Sequence, residues 1–73
     1  MNKTIRAKLK VTFVSKTGET ENAVLHAVTS GSDENKSFAK YTPSASFNIS
    51  IDNPSAQGFL IEGKEYYFDI SAA

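Results

Sequence analysis

Two groups of residues have the types and spacing to do chemistry. Lys36, Phe38, Lys40 and Tyr41 interleave cations with aromatic rings, and Arg6, Lys8 and Lys10 stand at alternate positions near the start of the chain. Single-stranded nucleic acid asks for both: cations that track its backbone and rings that stack on its bases. The same cations would suit another anionic partner or a small anionic ligand.

Catalysis has far less to draw on. Nucleophilic chemistry needs a nucleophile, a base and an orienting group held together. His26 is the sole histidine and lies between Leu25 and Ala27, where an imidazole is expected to pack half-buried with one hydrogen bond. Asp33 and Glu34 are paired carboxylates in a stretch of Ser, Gly and Asn, which suits solvent-facing turn residues. They lack the alternating ligands and closing Glu of a calcium loop. The absence of Cys excludes disulfides, thiolate zinc sites and cysteine nucleophiles. Four glycines compose no phosphate-cradling motif. The expectation is a non-enzymatic chain with no metal and no cofactor.

The elements that must position these residues are mostly strands. Ile5, Ala7, Leu9, Val11 and Phe13 alternate with Arg6, Lys8, Lys10 and Thr12, which is the period of a half-buried strand. The alternation slips at Phe13-Val14, where a β-bulge or a change of sheet is expected. Ser15 to Glu19 reads as a turn, with Gly18 free to take positive φ. A second strand is expected from Glu21 to Thr29, apolar on both faces. Residues 30–37 read as a polar loop, and Phe38-Ala39-Lys40-Tyr41 as a short edge strand or ordered loop before Pro43. Ala45 to Asp52 alternates again, with Phe47, Ile49 and Ile51 inward. Asn53, Pro54 and Gly58 have the order of a cap, a first helical position and a stop, so one helical turn is expected there. Phe59-Leu60-Ile61 reads as a buried run. Glu65 to Ile70 closes the chain as a strand, with Tyr66, Phe68 and Ile70 on one face and Tyr67 on the other.

The fold class expected is all-β, or mostly β with one helical turn: a small antiparallel barrel or half-barrel, OB-like or SH3-like, of four to five strands. Seventy-three residues allow one domain, 1–73, and Leu, Ile, Val and Phe supply 17 of them, enough for a thin core. Leu9, Val11, Leu25, Phe47, Ile49, Phe68 and Ile70 are its expected members. The net charge is zero, but residues 1–16 hold five cations and no acid, and the rest hold three cations and eight acids. The isoelectric point near 6.5 lies below that of a dedicated nucleic-acid binder. No apolar stretch suits a signal peptide or a membrane span, so a cytosolic chain is expected.

The block Glu34-Asn35-Lys36-Ser37-Phe38-Ala39-Lys40-Tyr41-Thr42-Pro43-Ser44, the ending Gly63-Lys64-Glu65-Tyr66-Tyr67-Phe68-Asp69-Ile70 and the opening Arg6-Ala7-Lys8 resemble a group of short proteins encoded by tailed bacteriophages. That group has no assigned activity, so no catalytic residue is carried over. The resemblance implies a setting, the cytoplasm of an infected bacterial host. There the chain is expected to be a small non-catalytic binding module for a bacterial protein or a small anionic ligand, including a role as a host-defence inhibitor. The 30–44 loop is expected to carry the binding, since it exceeds the usual hairpin connection of about two to five residues. Two other readings stand: single-stranded nucleic-acid binding through Lys36, Phe38, Lys40, Tyr41, Arg6, Lys8 and Lys10, and a virion structural or decoration role. A homo-oligomer paired through a sheet edge is also expected.

Overall fold

A computed structural model describes residues 4–73. Lys3, one of the five early cations, lies outside the described residues. The elements in chain order are β1 (Thr4–Thr17), β2 (Thr20–Ala27), α1 (Asp33–Tyr41), β3 (Ser46–Ile51) and β4 (Glu65–Ser71). The strands form one antiparallel sheet in the order β3-β2-β1-β4. Three strands thus run as a meander and the fourth returns beside the first, the spatial order of a Greek key.

In a flat sheet of this order β3 and β4 would lie about 14 Å apart, three strand spacings. Instead the rings of Phe47 on β3 and Phe68 on β4 meet edge to face at 4.7 Å. The sheet is therefore curled, with its two outer strands brought round to face each other. No ladder joins them, so the fold is a half-barrel.

The bulge falls where the alternation slips. Val11 pairs with Leu25 but Phe13 pairs with Val24, which leaves Thr12 as the extra residue. It rephases β1, so that Val14 follows Val11 onto the concave face and Phe13 points away from it. Placing Phe13 with Leu9 and Val11 was the expectation, and the bulge overturns it. The Thr12 hydroxyl donates to the Val24 carbonyl at 3.2 Å and lies 3.0 Å from His26 Nδ1.

The core is the floor of the concave face. Ala7, Leu9, Val11, Ala23 and Leu25 are buried, with Ile49, Leu60, Tyr66 and Phe68 packed against them. Ile70 does not join them. It is 58% exposed because β1 and β4 pair as far as Thr4↔Ser71, well beyond the last β1–β2 pair at Leu9↔Ala27. That two-stranded overhang has no third strand to cover it.

Two further expectations change. Residues 33–41 are helical, not strand or loop. The Ser32 hydroxyl accepts from the Asn35 N–H at 3.1 Å, Asp33 and Glu34 sit in the first turn, and Lys40 sits in the last. Capping and charge placement of this kind stabilise a short helix whose Asn and Ser content disfavours it. At 53–58 the expected cap and stop are in place, with Asn53 Oδ1 accepting from the Ser55 N–H at 3.1 Å and Gly58 at φ 85°, but the segment between them forms hydrogen-bonded turns and not the helical turn expected. The connection then crosses the mouth of the concave face, which leaves Phe59 and Ile61 exposed where a buried run was expected.

Candidate functional site

The convex face brings the basic row and the helix together. Arg6, Lys8, Glu65, Tyr67 and Asp69 project from β1 and β4 on the side that α1 covers. Arg6 donates to both oxygens of Asp69, at 2.7 and 3.0 Å. Lys8 Nζ lies 2.9 Å from Glu34 and 3.4 Å from Glu65. The Tyr67 hydroxyl donates to Glu34 at 2.5 Å, and both Arg6 and Lys8 lie over the Tyr67 ring. Phe38 packs on the same ring at 5.9 Å between centroids.

This network moves the protonation equilibria in the direction its charges dictate. Hydrogen bonds from Tyr67 and then Lys8 pull the Glu34 carboxyl below its ordinary range. The bond from Arg6 does the same for Asp69. The Glu34 carboxylate pushes the Tyr67 hydroxyl up, and with Glu65 it holds the Lys8 ammonium above its usual value.

Asn35 ties the helix start to the sheet. It is buried, and its side-chain amide donates to the Ser30 carbonyl at 3.0 Å and to Glu65 at 2.8 Å. Gly31, at φ 120°, passes so close that a Cβ there would stand 3.1 Å from Asn35 Nδ2. The backbone conformation and the close approach both call for glycine.

The expected binding residues thus fall into two classes. Arg6, Lys8 and Phe38 are built into the convex face by carboxylate and ring partners. Lys10, Lys40 and Tyr41 remain exposed, Tyr41 by 76% with Lys40 Nζ 5.5 Å from its ring centre, and Lys36 lies 3.9 Å from Asp33. Lys10 lines a cleft of about 280 Å³, half polar and half apolar, with Thr12, His26, Ala27, Val28, Thr29, Ser30 and Glu65.

The larger opening is on the concave side. A groove of about 1020 Å³ runs between β3, the crossing loop and β4. Phe47, Ile49, Ile51, Phe59, Leu60 and Phe68 supply most of its wall, and among the described residues its charged lining is Asp52 together with Asp69, which reaches its rim from the convex face and is held there by Arg6. Polar contacts pin the loop that forms one wall. The buried Glu21 carboxylate accepts from the Gly58 N–H at 3.1 Å, and Gln57 donates to the Glu19 and Ile51 carbonyls at 2.6 and 2.9 Å. The Tyr66 hydroxyl donates to the Phe59 carbonyl at 2.7 Å and accepts from the Ile61 N–H at 3.1 Å. Glu62 reaches across to accept from the Val14 N–H at 2.8 Å, where β1 runs past the end of β4.

The groove residues were legible only as core. Phe47, Ile49 and Phe68 were expected inside, and nothing in their alternation shows that the sheet stops short of closure. Among the described residues no helix is long and apolar enough to cross a membrane. Comparison with family models, with curated proteins and with solved structures returned no match.

Proposed function

We propose that the chain is a small non-catalytic binding module that holds a protein partner in the groove of its concave face. The observation that carries this reading is the wall of the groove: aromatic and aliphatic side chains left open to solvent, with Phe59 68% exposed. A contiguous apolar opening on a small chain costs solubility, and such surfaces mark interaction sites. On the resemblance to short phage proteins, the partner in this reading is a protein of an infected bacterium, with a component of host defence as the class of target.

A nucleic-acid partner draws less support from the geometry. Phosphates would have to displace Asp69 from Arg6, and Glu34 and Glu65 from Lys8, before either cation became available. A small anionic ligand is the second reading, supported by the cleft where Lys10 stands beside His26, Thr29 and Ser30 and opposed by Glu65 in the same lining.

The test is recovery from bacterial lysate, with and without nuclease, using the parent chain, Phe59→Ser and the double variant Lys36→Gln, Lys40→Gln. A protein recovered despite nuclease, lost with Phe59→Ser and kept by the lysine variant, is the expected result. Recovery that nuclease abolishes and the lysine variant loses would replace this reading with the nucleic-acid one.

A further inference from the structure

The two outer strands present different edges. The Ala27 N–H donates to the Ala45 carbonyl at 3.0 Å, and the β2–β3 register is regular from there to Glu21↔Ile51. Alternation along an antiparallel ladder then turns the backbones of Phe47, Ile49 and Ile51 toward β2. Ser46, Asn48 and Ser50 therefore direct their N–H and C=O groups outward. The same reasoning, from the Val11 N–H donating to the Lys64 carbonyl at 3.0 Å, turns Glu65, Tyr67 and Asp69 outward on β4.

The β4 edge is guarded by charge, with Glu65 and Asp69 among its outward residues. The β3 edge has no such guard. Ser-Phe-Asn-Ile-Ser-Ile contains no charge, no Pro and no Gly, and among the described residues only β2 pairs with it. Its inward side chains, Phe47, Ile49 and Ile51, are also the wall of the groove. An unpaired ladder and an apolar trough thus run along the same six residues.

Resting on the proposed protein-binding role, we infer that the partner is an extended segment that adds to the β3 edge as a fifth strand. Its alternate side chains are apolar and enter the groove, and the end beside Asp52 carries Lys or Arg. Main-chain bonds along an edge with pockets for every second side chain are the mode of β-strand addition. The basic end follows from Asp52, which lines the groove and among the described residues has no cation beside it, whereas the other acid of the lining, Asp69, is already held by Arg6. The curl decides against a second copy of the chain. Phe68 on β4 already reaches Phe47 at 4.7 Å, so what lies next to β3 must fit between β3 and β4. A lone strand asks for one further strand spacing there, whereas a copy would have to bring its own β2 and β1 into the same slot.

The probe is a fluorescein-labelled nonapeptide of alternating valine and serine with lysine at each end, followed by anisotropy. The parent chain is expected to bind it saturably, with slowed amide exchange at Asn48 and Ser50. Asn48→Pro removes an outward N–H without touching the β2 ladder, which an edge strand tolerates. It is expected to weaken binding about tenfold, as is Phe59→Ser. Ser50→Pro, and a probe N-methylated at alternate residues, repeat the test should Asn48→Pro fold poorly. No binding by the parent chain at millimolar probe overturns the inference. Binding that Phe59→Ser weakens but neither proline variant nor N-methylation affects would overturn strand addition alone and leave a groove that grips side chains. Binding indifferent to every variant removes both strand addition and the groove. A dimer in sedimentation equilibrium that Asn48→Pro dissociates would make the occupant a second copy, against the inference.

Discussion

The convex and concave faces of the sheet are made by the same four strands, and they spend their side chains in opposite ways. On the convex face Arg6, Lys8, Glu34, Glu65 and Asp69 answer one another, and α1 closes over them. On the concave face Phe47, Ile49 and Phe68 are only partly covered, and the connection that should cap them stands off as a groove wall. Charges so placed neutralise a surface that looks basic in the sequence. Apolar residues so placed make available a surface that looks like core. Residue type alone therefore misassigns both faces, since what matters is whether each side chain has found its partner within the chain.

The largest expected effect is on the floor shared by the four strands. Leu25→Ala should cost about 2–5 kcal/mol, the range for truncating a fully buried aliphatic. A domain this small has about 5 kcal/mol in all, so the variant should be largely unfolded in a urea titration. Ile49→Ala, on the half-covered wall, should cost distinctly less. Equal losses at the two positions would mean that the groove is filled in solution and the contrast between floor and wall is false.

Next comes the anchor of the helix. Asn35→Ala leaves Glu65 and the Ser30 carbonyl without their buried donor, a loss of about 1–3 kcal/mol. The same titration measures it, and amide exchange in residues 33–41 should rise before that in the strands. Exchange that rises equally everywhere would show the helix to be part of the core unit and not an addition to one face.

The pH response should be smaller and confined to the convex face. Glu34 and Asp69 are held below their ordinary values in the folded chain, so their stabilisation is present above the unfolded carboxyl range. It is lost as pH falls through their folded values. Lys8 is held above its usual value, so its share is full below the unfolded lysine range and is lost as pH rises through the folded value. Tyr67→Phe removes the leading cause of the Glu34 shift and should shrink the acid limb. Melting followed from neutral to acid pH checks it, and an unchanged limb in Tyr67→Phe would assign acid sensitivity elsewhere.

The smallest effect should be at Phe59. Its ring already faces solvent, so Phe59→Ser should change stability by no more than about 0.5 kcal/mol, the usual range for a surface site. A stable Phe59→Ser protein that no longer binds would separate the two faces by purpose as well as by composition.

Strands were readable wherever polar and apolar residues alternate without competition, as in Leu9 to Val11, Phe47 to Ile51 and Tyr66 to Ile70. The helix was not, because Asn35, Ser37 and Phe38 weaken the helical pattern and its stability rests on the Ser32 cap and on Asn35 reaching Glu65, a contact 30 residues distant. The Ser32 cap and the acids after it were the available signal. The turns at 53–58 carried the same kind of signal, but Gly58 at φ 85° ends them within one turn. Pairing of the basic row was illegible for a related reason. Lys8 and Glu34 are 26 residues apart, and only the docking of α1 brings them to 2.9 Å. The groove depends on how far the sheet curls, a property of the whole sheet that no single stretch records.

The β1–β4 ladder, with Thr4 opposite Ser71, has a mechanical consequence. Thr4 at the start of β1 and Ser71 at the end of β4 are neighbours on adjacent antiparallel strands, so tension applied through these two positions acts across the ladder and not along it. The hydrogen bonds would then be loaded pair by pair from Thr4↔Ser71 toward Lys10↔Glu65 and would yield as a zip. Tension applied between the Gly18 turn and Ser71 would instead draw β1 and β4 past each other and load those bonds together. The chain should therefore part at low force when held at Thr4 and Ser71 and resist far more when held by the turn, a difference that single-molecule pulling from the two attachments would read directly.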